Sequence, residues 1–130
     1  MRRLLFDTCF LIDLEREMKV GDGSAHRFLR KHASCHAVIS WTVAGEFAEG
    51  FGDILQPACA EMLSRFETLP MNESTAGHYA RVASELRKIR QMIGANDLWI
   101  AAAALAHEVE LVTRNLDDFG RIPGLRIVRY

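Results

Sequence analysis

The sequence predicts one α/β domain in three layers, with helices on both faces of a central, mostly parallel sheet. Short apolar runs, Leu4-Leu5-Phe6, His36 to Ser40 and Leu111-Val112-Thr113, read as buried strands. Between them lie longer stretches with apolar residues at helical spacing, so strands and helices alternate. The chain has 130 residues, 49% of them hydrophobic, which supports one core and leaves little room for a second domain. Residues 1–130 are therefore read as one unit.

Taken in order, the strand at Leu4 to Phe6 ends at Asp7 and turns into a helix around Leu11-Ile12. Gly21-Asp22-Gly23 breaks that helix, and Ser24 is placed to cap the next, which runs through Phe28 and Leu29. After the strand ending at Ser40, Thr42 is the expected cap of a helix carrying Glu46, Phe47 and Gly50. Pro57 suits a first helical turn, with Met62, Leu63 and Phe66 as the apolar face behind it. Glu67 to Pro70 reads as a connector or short strand. Asn72 or Ser74 caps a long helix bearing Tyr79, Val82, Ala83 and Leu86, with Gly94 as its stop. Asp97 opens an alanine-rich helix, Leu111 to Thr113 is the third strand, and Ile127-Val128 is the last.

Charge excludes one class of function. Sixteen Lys and Arg against 17 Asp and Glu give a net charge of −1, which rules out a general basic coat for nucleic acid but not a local grip. The three cysteines, Cys9, Cys35 and Cys59, cannot all pair within the chain and show no CxxC spacing. The apolar run before Asp7 is too short for a signal-peptide core, so a reducing cytoplasm is the expected location. No membrane association is expected, because the longest uncharged apolar run, Leu98 to Ala106, falls far short of the roughly 20 residues that span a bilayer.

In parallel α/β sheets, ligands sit beyond the carboxyl ends of the strands. Asp7 follows the first strand, Glu46 lies early in the helix after the second, and Asp97 starts the alanine-rich helix. Asn115, Asp117 and Asp118 follow the third strand. Singly, each has a plain reading: Asp97 as a helix-start acid, Glu46 as a solvent-facing residue, Asp117 and Asp118 as a turn. Asp7 resists that reading, because an acid ending a buried strand is desolvated unless partnered. Together the acids would repel one another unless a cation intervened. A hard divalent ion such as Mg²⁺ or Mn²⁺ takes oxygen ligands, and held by carboxylates it suits phosphodiester hydrolysis.

Other constellations carry less. Cys59 and Arg65 have the Cys-x5-Arg spacing of phosphate-cradling loops, but the segment lacks glycine and reads as helix. His32 and His36 are four apart, yet the chain turns towards a strand at His36, which separates the rings. Arg81, Arg87, Lys88 and Arg90 read as a solvated helix face, whereas Arg114 neighbours the acids and is a candidate for RNA backbone contact.

The chain resembles PIN-domain ribonucleases, specifically the VapC-type toxins of type II toxin–antitoxin pairs. Leu5-Phe6-Asp7-Thr8 matches the opening strand and first acid, and Thr42 with Glu46-Phe47 and Gly50 matches the second. Asp97-Leu98-Trp99-Ile100-Ala101-Ala102 matches the third. Leu111 to Asn115, Asp118-Phe119 and Arg121 to Leu125 match the closing signature, the most specific part. Cys9 departs from the pattern, standing where many relatives carry Asn. The resemblance implies a PIN-like fold and a Mg²⁺- or Mn²⁺-dependent endoribonuclease that hydrolyses RNA with a metal-activated water. It implies Asp7, Glu46, Asp97 and Asp118 as catalytic acids and metal ligands, with Asn115 as a helping ligand and Asp117 facing solvent. It also implies a homodimer and a small antitoxin protein whose Arg or Lys reaches the carboxylates. Two other readings stay open: a catalytically weak PIN-fold module that binds protein or RNA, and a metal-dependent DNase.

Overall fold

Leu4, Leu5 and Phe6 are at most 1% exposed because strand β1 (Arg3–Phe6) is central and covered on both faces, which is why it reads as a continuous apolar run. In the computed structural model, which describes residues 1–130, α1 (Thr8–Val20) and α2 (Ser24–Lys31) lead to β2 (His36–Ser40). Then follow α3 (Trp41–Glu49), α4 (Pro57–Leu63), β3 (Glu67–Leu69), α5 (Glu73–Lys88) and α6 (Ala95–Ala106). The chain closes with β4 (Glu110–Val112), α7 (Leu116–Phe119) and β5 (Ile127–Val128). The strand order is β3-β2-β1-β4-β5, and every pair is parallel.

The register aligns the strand exits: Leu5 lies opposite Val38 and Leu111, and Phe6 opposite Val112. Connections from β1 step outwards to β2 and β3, then return across the sheet to β4 and β5. Right-handed crossovers therefore put α1 to α4 on one face and α5 to α7 on the other. The order reverses between β1 and β4, which opens a crevice at their carboxyl ends.

Several helix starts differ from the sequence expectation. Gly23, not Ser24, is the N-cap of α2 and has no side chain to offer. Ser40 rather than Thr42 caps α3, its Oγ accepting from the Val43 N–H at 3.2 Å. Of the two caps expected for α5, Asn72 is the one used, and it forms a reciprocal capping box with Thr75. That helix stops at Lys88, so Gly94 is the N-cap of α6 and not the end of α5. Asp117 and Asp118 lie in the short helix α7 and not in a bare turn. The Glu67–Leu69 segment is a strand, paired with β2.

The missing cap of α2 is supplied from α1. Glu17, 2% exposed, accepts from the Gly23, Ala25 and His26 backbone N–H groups at 2.8, 3.0 and 2.9 Å. Its Oε1 also lies 2.8 Å from His26 Nδ1. Burial alone would raise its pKa, but the hydrogen bonds from His26, Ala25 and Gly23 prevail and hold it down at about 2. Glycine is needed at 23 because a Cβ there would come within 2.8 Å of the carboxylate.

Candidate active site

Asp7 is both the exit of β1 and the N-cap of α1, and the chain geometry turns its carboxylate into the crevice between β1 and β4. Its Oδ1 accepts from the Thr8 N–H at 2.8 Å, and Oδ2 accepts from the Thr113 hydroxyl at 2.6 Å. The Cys9 thiol donates to Oδ2 at 3.4 Å, so the residue that departs from the family pattern still contacts the first acid. Glu46 projects from α3 and is held from two sides, accepting from the Thr8 hydroxyl at 2.6 Å and from Asn96 Nδ2 at 3.0 Å. It is not a free solvent-facing residue.

Asp97 sits in the first turn of α6, where the helix dipole favours an acid. Asn115 connects it to the fourth acid: Nδ2 donates to Asp97 at 3.4 Å and to Asp118 at 3.3 Å. The Asn115 Oδ1 accepts from the Asp118 N–H and so caps α7, and its own N–H donates to Thr113 Oγ1 at 3.0 Å. Phe119, fully buried, anchors α7 and fixes the direction of Asp118, while Asp117 is exposed and has no part in this network.

These residues surround a cleft of about 390 Å³ lined by Asp7, Thr8, Cys9, Glu46, Asp97, Arg114 and Asn115. Asp118, bonded to Asn115, is not among the lining residues. Burial raises the pKa of Asp7, with the Glu46 charge adding to it. Burial first, then the charges of Asp7, Asp118 and Glu46, push Asp97 up to about 6. The acids that the sequence singles out stand near one another in the structure, but the sequence reading gave no role to Thr113, Asn96 or the Thr8 hydroxyl. The usable signal was position, since each is adjacent to an acid or a strand exit.

Arg114 is the one cation in the cleft, and a second network aims it. Asp13, 5% exposed, accepts from Arg114 at 2.9 Å and from the Tyr130 hydroxyl at 2.7 Å. The guanidinium carbon lies 5.3 Å from the Tyr130 ring centre, within cation–π range. The motifs set aside stay structural: Cys59 is buried in α4, Arg65 pairs with Glu61, His32 bonds the Phe28 carbonyl and His36 pairs with Glu67.

The raised pKa of Asp97 carries a stability prediction. The folded value of about 6 exceeds the ordinary 3.8, so the native state gains protons relative to the unfolded chain and stability falls as pH rises from about 4 to 6. Asp97→Asn should melt at or above wild type at pH 7.5 in EDTA, and the advantage should vanish near pH 4. A clear drop in melting temperature at pH 7.5 would mean that the helix-dipole role of Asp97 outweighs the repulsion.

The PIN domain family model matches residues 4–125. Ribonuclease VapC1 of Rickettsia felis is 42% identical over 65 residues, covering 50% of this chain and 48% of that protein, so the match spans about half the length of that relative. Ribonuclease VapC4 of Mycobacterium tuberculosis is 27% identical over 135 aligned positions, covering 98% of this chain and 97% of the other. Among solved structures, VapBC2 from Rickettsia felis bound to a DNA fragment from their promoter superposes with a TM-score of 0.85 at 25% identity, over 98% of each chain.

Proposed function

The chain belongs to the PIN-domain family, and on that premise we propose that it is a divalent-metal-dependent endoribonuclease, the toxin of a type II toxin–antitoxin pair. The observation that carries this reading is the convergence of Asp7, Glu46 and Asp97 on the crevice where the strand order reverses, with Asp118 joined to them through Asn115. A pure binding surface gains nothing from such repulsion. The names of the related ribonucleases and the VapBC2 assembly support the activity and an antitoxin partner.

The donor set fits Mg²⁺ or Mn²⁺. The acids that face the cleft offer oxygen ligands, the kind a hard divalent ion takes, and the repulsion that adds to the raised pKa of Asp97 supports a cation among them. As they stand, no three His, Cys, Asp or Glu side chains lie close enough together to enclose an ion. Asp7, Glu46, Asp97 and Asp118 would hold it, with Asn115 assisting. When bound, the ion lowers the pKa of water and neutralises charge on the phosphate and leaving 3′-oxygen.

The chain's own groups do the rest. The Thr8 and Asn96 contacts fix the Glu46 carboxylate, and Thr113 fixes Asp7, so neither acid has to be ordered when substrate arrives. Arg114, held by Asp13, presents its guanidinium to a substrate phosphate. The antitoxin would compete by bringing its own Arg or Lys to the same carboxylates, and the toxin would act as a homodimer in the cytoplasm.

The register of the α7 segment gives the test. In Mg²⁺-dependent cleavage of single-stranded RNA, Asp118→Ala should be the most damaged, because it removes a charge from the ion-holding set. Asn115→Ala should come next, since it removes the amide that ties Asp97 to Asp118, and Asp117→Ala should stay near wild type. If initial rates at fixed Mg²⁺ showed Asp117→Ala worst and Asp118→Ala fully active, the proposed fourth acid would be wrong.

A further inference from the structure

A second cleft, of about 440 Å³, lies between α2 and the chain segment that follows β5. Arg27, Lys31 and Arg129 line it, together with the rings of Phe28, His32 and Tyr130, and no acidic side chain does. The three cations are exposed and make no salt bridge, whereas their neighbour Arg30 is tied to Asp22 at 2.6 Å. His32 stacks on Phe28 with ring centres 3.9 Å apart. Free cations interleaved with aromatic rings are the combination that holds a single nucleic-acid strand, the charges tracking phosphates and the rings accepting bases.

This groove adjoins the acidic cleft. Tyr130 lines the groove, and its ring lies against Arg114, which lines the cleft. The cleft itself has little affinity to offer a polyanion. It presents carboxylates, and its one cation is shared with Asp13. Most of the binding energy for RNA must therefore come from outside it, because phosphate neutralisation dominates nucleic-acid affinity.

We propose that the groove between α2 and the C-terminal segment is a track for the backbone of single-stranded RNA leaving the acidic cleft, a reading that rests on the ribonuclease function above. Arg27, Lys31 and Arg129 each contact a phosphate, and Arg114 joins the track to the site of cleavage. The groove adds affinity for RNA longer than the cleft and reads no base sequence.

The test uses the full chain carrying Asp97→Asn, so that RNA is bound and not cut, with a fluorescent 20-nucleotide oligouridine as probe. Adding Arg27→Ala, Lys31→Ala and Arg129→Ala should weaken binding at least tenfold at about 0.1 M salt. It should also flatten the log affinity against log salt slope by about 2, as expected for three single-strand phosphate contacts. The matched triple Arg87→Ala, Lys88→Ala and Arg90→Asn on and after α5 removes the same charge and should change neither; Asn suits position 90, where φ is 59°. Equal losses in both triples would overturn the proposal in favour of a general charge effect. An unchanged groove triple, with wild type still cutting RNA, would overturn the track alone. Tighter binding of a 20-base-pair DNA duplex through the same three residues would assign the groove to DNA. A parent that does not bind RNA, together with a wild type that does not cut it, would remove the track and the ribonuclease reading together.

Discussion

Asp7→Asn is expected to reduce divalent-dependent RNA cleavage by at least about 100-fold, the scale of losing a group that stabilises transition-state charge, while the fold survives. The asparagine carbonyl oxygen still accepts from the Thr8 N–H, so α1 keeps its cap. Its NH₂ group meets the Thr113 hydroxyl, whose oxygen accepts in place of donating. What disappears is a negative charge on a residue only 6% exposed, whose pKa burial already raises, so the unliganded protein does not depend on that charge for stability. Initial rates, a calorimetric titration with Mn²⁺ and a thermal melt check the three parts. Full activity with unaltered metal dependence would remove Asp7 from the site.

Glu17→Ala is expected to have the opposite profile, with a large loss of stability. The substitution leaves the Gly23, Ala25 and His26 N–H groups without their acceptor in a buried setting and opens a void beside α1. Unsatisfied donors and the void left beside α1 together cost about 3 kcal/mol or more, a large share of a domain's 5–15 kcal/mol. For a chain of this size the melting temperature should fall on the order of 10 °C. The sign of the pH dependence follows from the folded pKa of about 2 against an ordinary 4.5. The contribution of Glu17 is complete above about pH 4.5 and fades as pH falls towards 2, so wild type and Glu17→Ala should converge in acid. Melts at pH 7 and pH 3 decide it; a constant gap between the two proteins would mean that packing, and not the carboxylate, carries the effect.

The strands and the acids were legible because both depend on local pattern. A strand buried on two faces must be apolar throughout, and an acid at its exit stands out against that run, as Asp7 does after Phe6. Helix caps were less legible. Ser24 and Thr42 have the right side chains, yet the backbone enters the helix one or two residues earlier, at Gly23 and Ser40. Glu17 gave no signal at all, because the helix start it caps lies beyond the Gly21-Asp22-Gly23 break and only the folded turn joins the two. The same holds for Asp13 and Tyr130, which meet across 117 positions to aim Arg114. The basic groove was hidden for a related reason: Arg27 and Lys31 share a helix face, but Arg129 reaches them only once β5 is laid on the sheet edge.

The end groups of cut RNA test the central claim most directly. Purified protein is incubated with single-stranded RNA in Mg²⁺, in Mn²⁺ and in EDTA, and the product termini are mapped. An acidic cleft working through a divalent ion and water should leave 5′-phosphate and 3′-hydroxyl ends with either ion, and no products in EDTA. Cleavage that persisted in EDTA and left 2′,3′-cyclic phosphates would contradict it, since the attacking group would then be the RNA's own 2′-hydroxyl, with no need of the four carboxylates.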